Sequence, residues 1–147
     1  MPDPNTPYLG NPVAWRRHWI EALKGCDCFG GFDGGVVNDF SSQALYFPVQ
    51  RKVTKPILLV WAWAPAEVEH HRILKEKFGY QEWVEGGFLT LMPGPVTRYD
   101  ILEADILQLS RDYNIIENAF DKAYITQLVQ RLIAAGVNMV TQVRQTA

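Results

Sequence analysis

The hydrophobic and polar positions change period several times along this chain, and each change predicts an element. Between residues 12 and 24, Val13, Trp15, Trp19, Ile20 and Leu23 recur at helical spacing and stop at Gly25, which predicts a short helix. Strand-like segments follow over residues 26–33 and 42–49, with Gly34 and Gly35 between them, and together they read as a hairpin. Residues 56–64 contain the unbroken apolar run Ile57-Leu58-Leu59-Val60-Trp61-Ala62-Trp63, which predicts a strand covered on both faces. Residues 67–78 then read as a helix with Val68, Ile73 and Leu74 inward, and residues 80–85 as a second short helix ending at Gly86-Gly87. An extended piece at 88–92 stops at Pro93-Gly94-Pro95. Residues 100–112 are helical by the spacing of Ile101, Leu102, Ile106 and Leu109, 115–120 a strand, 125–135 a helix through Leu128, Val129, Leu132 and Ile133, and 139–143 a strand. Three strands joined by short turns, followed by α-β-α-β, predict a mixed α/β sheet of five main strands flanked by helices, the ribonuclease-H-like topology.

Composition narrows the class without naming a chemistry. With 147 residues, 48% hydrophobic and 20% charged, the chain is expected to form one domain around its own core. The expected division is a lead and short helix over 1–25 and the sheet domain over 26–147. A formal charge of −2 excludes a strongly basic nucleic-acid binder, but not an enzyme that meets DNA through a local patch and metal ions. No apolar run approaches the roughly 20 residues of a membrane span. The first ten residues, with Pro2, Pro4 and Pro7, lack the basic and apolar regions of a signal peptide. A cytoplasmic protein with no membrane partner is the expectation. Cys26 and Cys28 are spaced to share a strand face, and adjacent positions of this kind do not form an unstrained disulfide. No ligand spacing joins them to His70 and His71, so they read as reduced core thiols rather than a zinc site. Arg16, Arg17 and His18, and the turn carrying Arg51, Lys52 and Lys55, are basic clusters that fit either a solvated surface or contact with phosphate.

The candidate chemistry lies at strand ends. Asp33 closes the first strand and precedes two glycines, whose lack of side chains leaves room for a ligand. Asp121 directly follows Ile115-Ile116-Glu117-Asn118-Ala119-Phe120, and in open α/β sheets ligands gather at the carboxyl ends of strands. Each has a plain alternative: Asp33 can start a turn and Asp121 can cap the following helix. If the two strands are neighbours, the carboxylates converge, and two carboxylates approach closely only when one is protonated or a cation compensates. Hard divalent ions with oxygen ligands meet that need, and a pair about 3.5–4 Å apart would suit phosphodiester cleavage.

Longer stretches resemble a known family. Gly31-Phe32-Asp33 with Asn38-Asp39-Phe40, Ala44 and Phe47-Pro48 resembles the start of the nuclease domain of tailed-phage terminase large subunits, where a Gly-Leu-Asp-Leu-Ser motif carries the first metal aspartate. The likeness continues through the stretch from Tyr80-Gln81-Glu82-Trp83 to Leu91-Met92-Pro93-Gly94, and through Tyr99-Asp100-Ile101-Leu102-Glu103-Ala104-Asp105-Ile106. It then runs through Ala119-Phe120-Asp121, Thr126-Gln127-Leu128-Val129-Gln130-Arg131-Leu132 and Gly136-Val137-Asn138-Met139. The resemblance implies an endonuclease that cuts concatemeric double-stranded DNA during genome packaging, with Asp33 and Asp121 as its first two ligands and Mg²⁺ or Mn²⁺ in a two-metal site. It implies a terminase ATPase domain, a small terminase subunit and a portal as partners. Gly34-Gly35 replaces the family's Leu-Ser. No Gly-x-x-x-x-Gly-Lys-Thr/Ser motif occurs, and the family's final helix with its third acidic ligand has no counterpart before Ala147. The expectation is a domain lacking its C-terminal part, for which the resemblance implies, as weaker candidates for a substitute third ligand, Glu67 or Glu69 near the start of the helix after the third strand, where ribonuclease-H enzymes place a glutamate, and Asp39, where the family pattern retains an acid. Surface acids favouring a helix start and a turn or capping role are their alternatives. A catalytically silent interaction domain on the same fold is the alternative, and a ribonuclease or resolvase is a further one.

Overall fold

The computed structural model describes residues 10–35, 40–51, 53–67, 80–121 and 125–141. Helix α1 (Pro12–Ala22) begins where the Asn11 side chain accepts the Ala14 N–H at 3.1 Å and Pro12 takes the first helical position. Both features satisfy or remove orphan donors of the first turn. Three strands follow, β1 (Asp27–Asp33), β2 (Ser41–Phe47) and β3 (Ile57–Pro65), then helix α2 (Tyr80–Glu85) and strand β4 (Leu89–Met92). Helix α3 (Tyr99–Asp112), strand β5 (Asn114–Phe120), helix α4 (Thr126–Ala134) and strand β6 (Met139–Thr141) complete the order. Gly87 and Gly136 adopt φ of 80° and 99° just beyond α2 and α4, a left-handed turn that glycine makes without steric cost.

The strands form one sheet in the order β4-β3-β2-β1-β5-β6. β2 is antiparallel to both β1 and β3, whereas β5 runs parallel to β1, β6 to β5 and β4 to β3. Only β2 therefore opposes the rest, and the carboxyl ends of the other strands share one edge. Cys28, Phe32, Leu45, Phe47, Leu59 and Trp63 project from one face into cores completed by α1, α3 and α4, with Trp19, Leu23, Leu102, Ile106, Leu128 and Leu132 buried against them. Inside these cores the Trp63 indole N–H donates to Asp105 Oδ2 at 2.7 Å, and the Tyr113 hydroxyl to the Ile20 carbonyl at 2.6 Å.

The architecture agrees with the expected fold class and departs from it in two respects. The extended piece at 88–92 is a full sheet member, β4, so the sheet has six strands rather than five. The run in β3 is not covered on both faces: Leu58 and Val60 are 56% and 43% exposed, beside Phe29 at 43% and Tyr46 at 44%. Among the described residues, α2 reaches only a corner of that face, where Val84 packs near Ala62, Ala64 and Leu89. An apolar run shows that a strand tolerates burial on both sides, not that a cover is present. The helix expected over 67–78 falls, apart from Glu67, outside the described residues.

Candidate functional site

β1 and β5 pair in parallel up to the rung Phe32↔Phe120. Asp33 and Asp121 are each the next residue, so they emerge side by side at the carboxyl edge of the sheet. Along β1, Phe29, Gly31 and Asp33 are exposed while Cys28 and Phe32 are buried, which puts Asp33 on the face opposite the cores formed with α1, α3 and α4. Phe120 turns inward to the core and Ala119 outward, so Asp121 follows Ala119 onto the same face as Asp33. The two aspartates line one open cleft of about 310 Å³ with Gly31, Phe32, Ala119 and Phe120.

The floor of that cleft is made by small residues. Gly31 pairs with Ala119 one residue back from the carboxylates, and a Cβ built on Gly31 would meet nothing within 4 Å. The expected role of Gly34 and Gly35 needs correction here. A Cβ on Gly34 would lie 2.5 Å from Ile125 Cγ2, and buried Gly35 donates its N–H to Ser41 Oγ at 2.9 Å. These two glycines let the chain pack closely against its neighbours, and the open space comes from Gly31. Gly31 and Ala119 stand in the motifs quoted above without a role assigned to them. The usable signal was two small residues, each two positions before an acid in a strand and therefore on that acid's face.

Glu67 is exposed and reaches the same edge, because β3 runs in the direction of β1. Its N–H donates to the Gly94 carbonyl at 3.1 Å. β2 separates β3 from β1, which displaces Glu67 sideways by roughly 10 Å at ordinary strand spacing. Among the described residues no trio of His, Cys, Asp or Glu is grouped closely enough to hold a metal. Asp39 lies outside the described residues.

The basic turn is not at this edge. The turn with Arg51 and Lys55 joins β2 to β3 at the opposite end of the sheet, since Phe47 pairs with Ile57 and Tyr46 with Phe29. Arg16 is buried, with its guanidinium 5.4 Å from the Trp61 ring centroid and 5.3 Å from that of Phe88, and it donates to the Val60 carbonyl at 3.1 Å. It holds α1 to the sheet instead of facing a ligand. Cys28 is buried and free, and burial, with Asp27 adding to it, pushes its thiol up to about 12. Both cysteines are unbonded, as expected. A second cleft of about 410 Å³ lies between the first turns of α3 and α4, where Glu103 and Arg131 pair at 2.9 Å.

A mostly parallel sheet with one antiparallel strand, helices packed on it and paired acids at the carboxyl ends of adjacent central strands is a ribonuclease-H-like α/β fold. The comparisons place that fold beside a particular viral protein. The chain is 29% identical over 128 residues to the terminase large subunit of Enterobacteria phage HK97, a stretch that is 87% of this chain and 23% of that protein. The crystal structure of the HK97 bacteriophage large terminase superposes with a TM-score of 0.65 at 22% identity, over 88% of this chain and 28% of the other. No protein-family model matches. The resemblance read from the motifs is thus borne out, and it relates the chain to phage terminase large subunits. The chain spans about a quarter of the length of that relative. No helix among the described residues is long and apolar enough to cross a membrane.

Proposed function

We propose that this chain is a terminase nuclease domain: a divalent-metal-dependent endonuclease acting on concatemeric double-stranded DNA during genome packaging, with Asp33 and Asp121 as its metal-holding residues. The observation that carries the reading is the register of β1 and β5, which brings acids 88 positions apart in the sequence onto neighbouring strands at one open cleft. The residues present suit a hard cation: two carboxylates, accessible, above a floor of Gly31 and Ala119 that leaves space for further oxygen ligands. Bound between them, Mg²⁺ or Mn²⁺ would supply Lewis-acid activation of water and neutralise charge on the scissile phosphate. The chain's own contribution is placement. Phe32 and Phe120 anchor the two strand ends in the core, and the bare floor admits a phosphodiester without a blocking side chain.

Two carboxylates account for one ion. The two-ion arrangement of the related nucleases would need another acidic ligand, from Asp39, from Glu67 after a shift of its segment, or from a further segment. The ATPase domain, small subunit and portal are proposed partners on the strength of the relationship to the HK97 protein. That no trio of ligand-type residues is grouped among the described residues favours a second reading, a catalytically silent interaction domain that keeps the fold. Supercoiled-plasmid nicking with Mn²⁺ decides between them. The nuclease reading predicts nicking that EDTA, Asp33→Asn and Asp121→Asn each abolish. No nicking by the intact chain supports the silent domain, and nicking that survives both substitutions removes these residues from the site.

A further inference from the structure

The convergence of Asp33 and Asp121 depends on an irregularity one turn of ladder earlier. Cys28 pairs with Ile115, yet the next rung is Phe29↔Glu117, so Ile116 is an extra residue on β5. Continued without that residue shift, the first register would set Asp33 level with Phe120, and Asp121 would face the other side of the sheet. A shift of one residue reverses every side chain beyond it, and bulges re-aim side chains next to functional sites.

Just beyond the bulge, two buried amides hold the shifted register. Asn118 on β5 and Gln43 on β2 are both fully buried, and they bond reciprocally across β1: Gln43 Nε2 donates to Asn118 Oδ1 at 2.9 Å, and Asn118 Nδ2 to Gln43 Oε1 at 3.0 Å. Gln43 Nε2 also lies 3.0 Å from the Ala44 carbonyl, and Asn118 Nδ2 is 3.4 Å from Met139 Sδ. The bridge passes over Gly30, where a Cβ would collide with Asn118 Oδ1 and come within 2.8 Å of Gln43 Nε2. Only the bulged register turns Asn118 inward. In the unshifted one Glu117 would take its place opposite Gly30, and the buried Gln43 Oε1 would lose the Asn118 amide that donates to it, a state that is costly.

We propose that the β5 bulge at Ile116, held by the Gln43–Asn118 amide bridge over Gly30, is a register lock that sets Asp121 level with Asp33, which makes Gln43 and Asn118 positioning residues of the carboxylate site. The value of the pair lies in specificity: two apolar residues of similar size could fill the same space with little loss of stability, but they would not distinguish one register from the other. This inference rests on the proposed metal site for its functional consequence and on the ladder alone for its structural one.

The test uses the full chain, Mn²⁺ alone as ligand, and two readouts: Mn²⁺ titration calorimetry and the cross-strand NOE pattern between residues 29–32 and 116–120. Q43L/N118L should fold, lose the Gly30–residue 118 contacts in part of the population, and bind Mn²⁺ at least tenfold more weakly than the wild type. Deleting Ile116 from Q43L/N118L removes the need for a bulge, and should restore both the contacts and Mn²⁺ binding. The wild-type NOE pattern in Q43L/N118L, or unchanged Mn²⁺ affinity, overturns the lock, as does failure of the deletion to rescue. If Q43L/N118L does not fold, the conservative exchange Q43N/N118Q serves: weakened Mn²⁺ binding with intact fold supports the lock, and undiminished binding overturns it. Absence of Mn²⁺ binding by the wild type sinks the metal-site reading, while a register change in the NOE pattern still supports the lock as a structural device.

Discussion

Removing one of the two aspartates should have opposite effects on stability with and without metal. Adjacent strands lie about 4.8 Å apart, so the backbones that carry Asp33 and Asp121 sit at roughly that spacing where β1 and β5 end, and the two residues line one open cleft. Two unit charges at that distance in water repel by roughly 0.8 kcal/mol, and physiological salt reduces this to a few tenths. In EDTA, Asp33→Asn and Asp121→Asn should therefore leave the protein as stable as the wild type or up to about 0.8 kcal/mol more stable. With Mn²⁺ at a hundredfold its Kd, the wild type should gain about 2.7 kcal/mol by mass action. For a domain of 147 residues that corresponds to a Tm rise of roughly 5–10 °C. The variants should gain little of it, so the order of stability inverts on adding metal. Thermal melts with EDTA and with MnCl₂, run on all three proteins, read this directly. Equal stabilisation of wild type and variants by Mn²⁺ would refute the shared site, because the ion would then be binding elsewhere.

Other substitutions probe the cleft and the scaffold separately. Gly31→Val adds a side chain where nothing lies within 4 Å of the new Cβ, so the melt should stay within about 1 kcal/mol of wild type, while Mn²⁺ affinity and any nicking activity fall; unchanged affinity would show that the floor is not part of the site. Asp105→Ala removes the acceptor of the Trp63 indole N–H, a bond of 2.7 Å to a carboxylate, and urea unfolding should show a loss of about 1.5–3 kcal/mol. Leu132→Ala, at a fully buried position between α4 and the sheet, should cost about 2–5 kcal/mol. Stability should also fall above about pH 9. The Cys28 thiol, ordinarily near 9.0, is held up to about 12 by burial, and burial raises the Tyr113 hydroxyl in the same direction. Each stays protonated in the folded chain while the unfolded chain releases its proton, so stability declines as pH rises through that window, by up to about 1.4 kcal/mol per pH unit for each group. Cys28→Ala should flatten the slope between pH 9 and 12 in a pH series of urea melts.

What could be read from the residues and what could not divide along physical lines. The acids closing β1 and β5 were legible because each strand-like segment stops at one, whereas their adjacency followed only from the ribonuclease-H-like topology expected of the whole element order. The six residues of α2, closing at Gly86-Gly87, and the spacing of Leu102, Ile106 and Leu109 in α3 gave their elements directly. The membership of β4 was not legible, since four residues, Leu89–Met92, carry too short a pattern to distinguish a sheet edge from a loop. Nor could Leu58 and Val60 report that they are 56% and 43% exposed, because the same apolar residue suits a buried or an open sheet face. The bulge at Ile116 left no mark: Ile115 and Ile116 are identical side chains, one partly buried and the other 40% exposed. The Gln43–Asn118 bridge joins positions 75 apart. Its only trace was an amide in the middle of each of two otherwise strand-like runs.

Diffraction from crystals grown with Mn²⁺, collected at the manganese absorption edge, would locate the ion against Asp33 and Asp121. An anomalous peak is expected in the cleft above Gly31 and Ala119, with one oxygen of Asp33 and one of Asp121 each about 2.2 Å from it, near the bond lengths of hard divalent ions. A peak bound by one of these residues without the other, or manganese found only elsewhere on the protein, would contradict it.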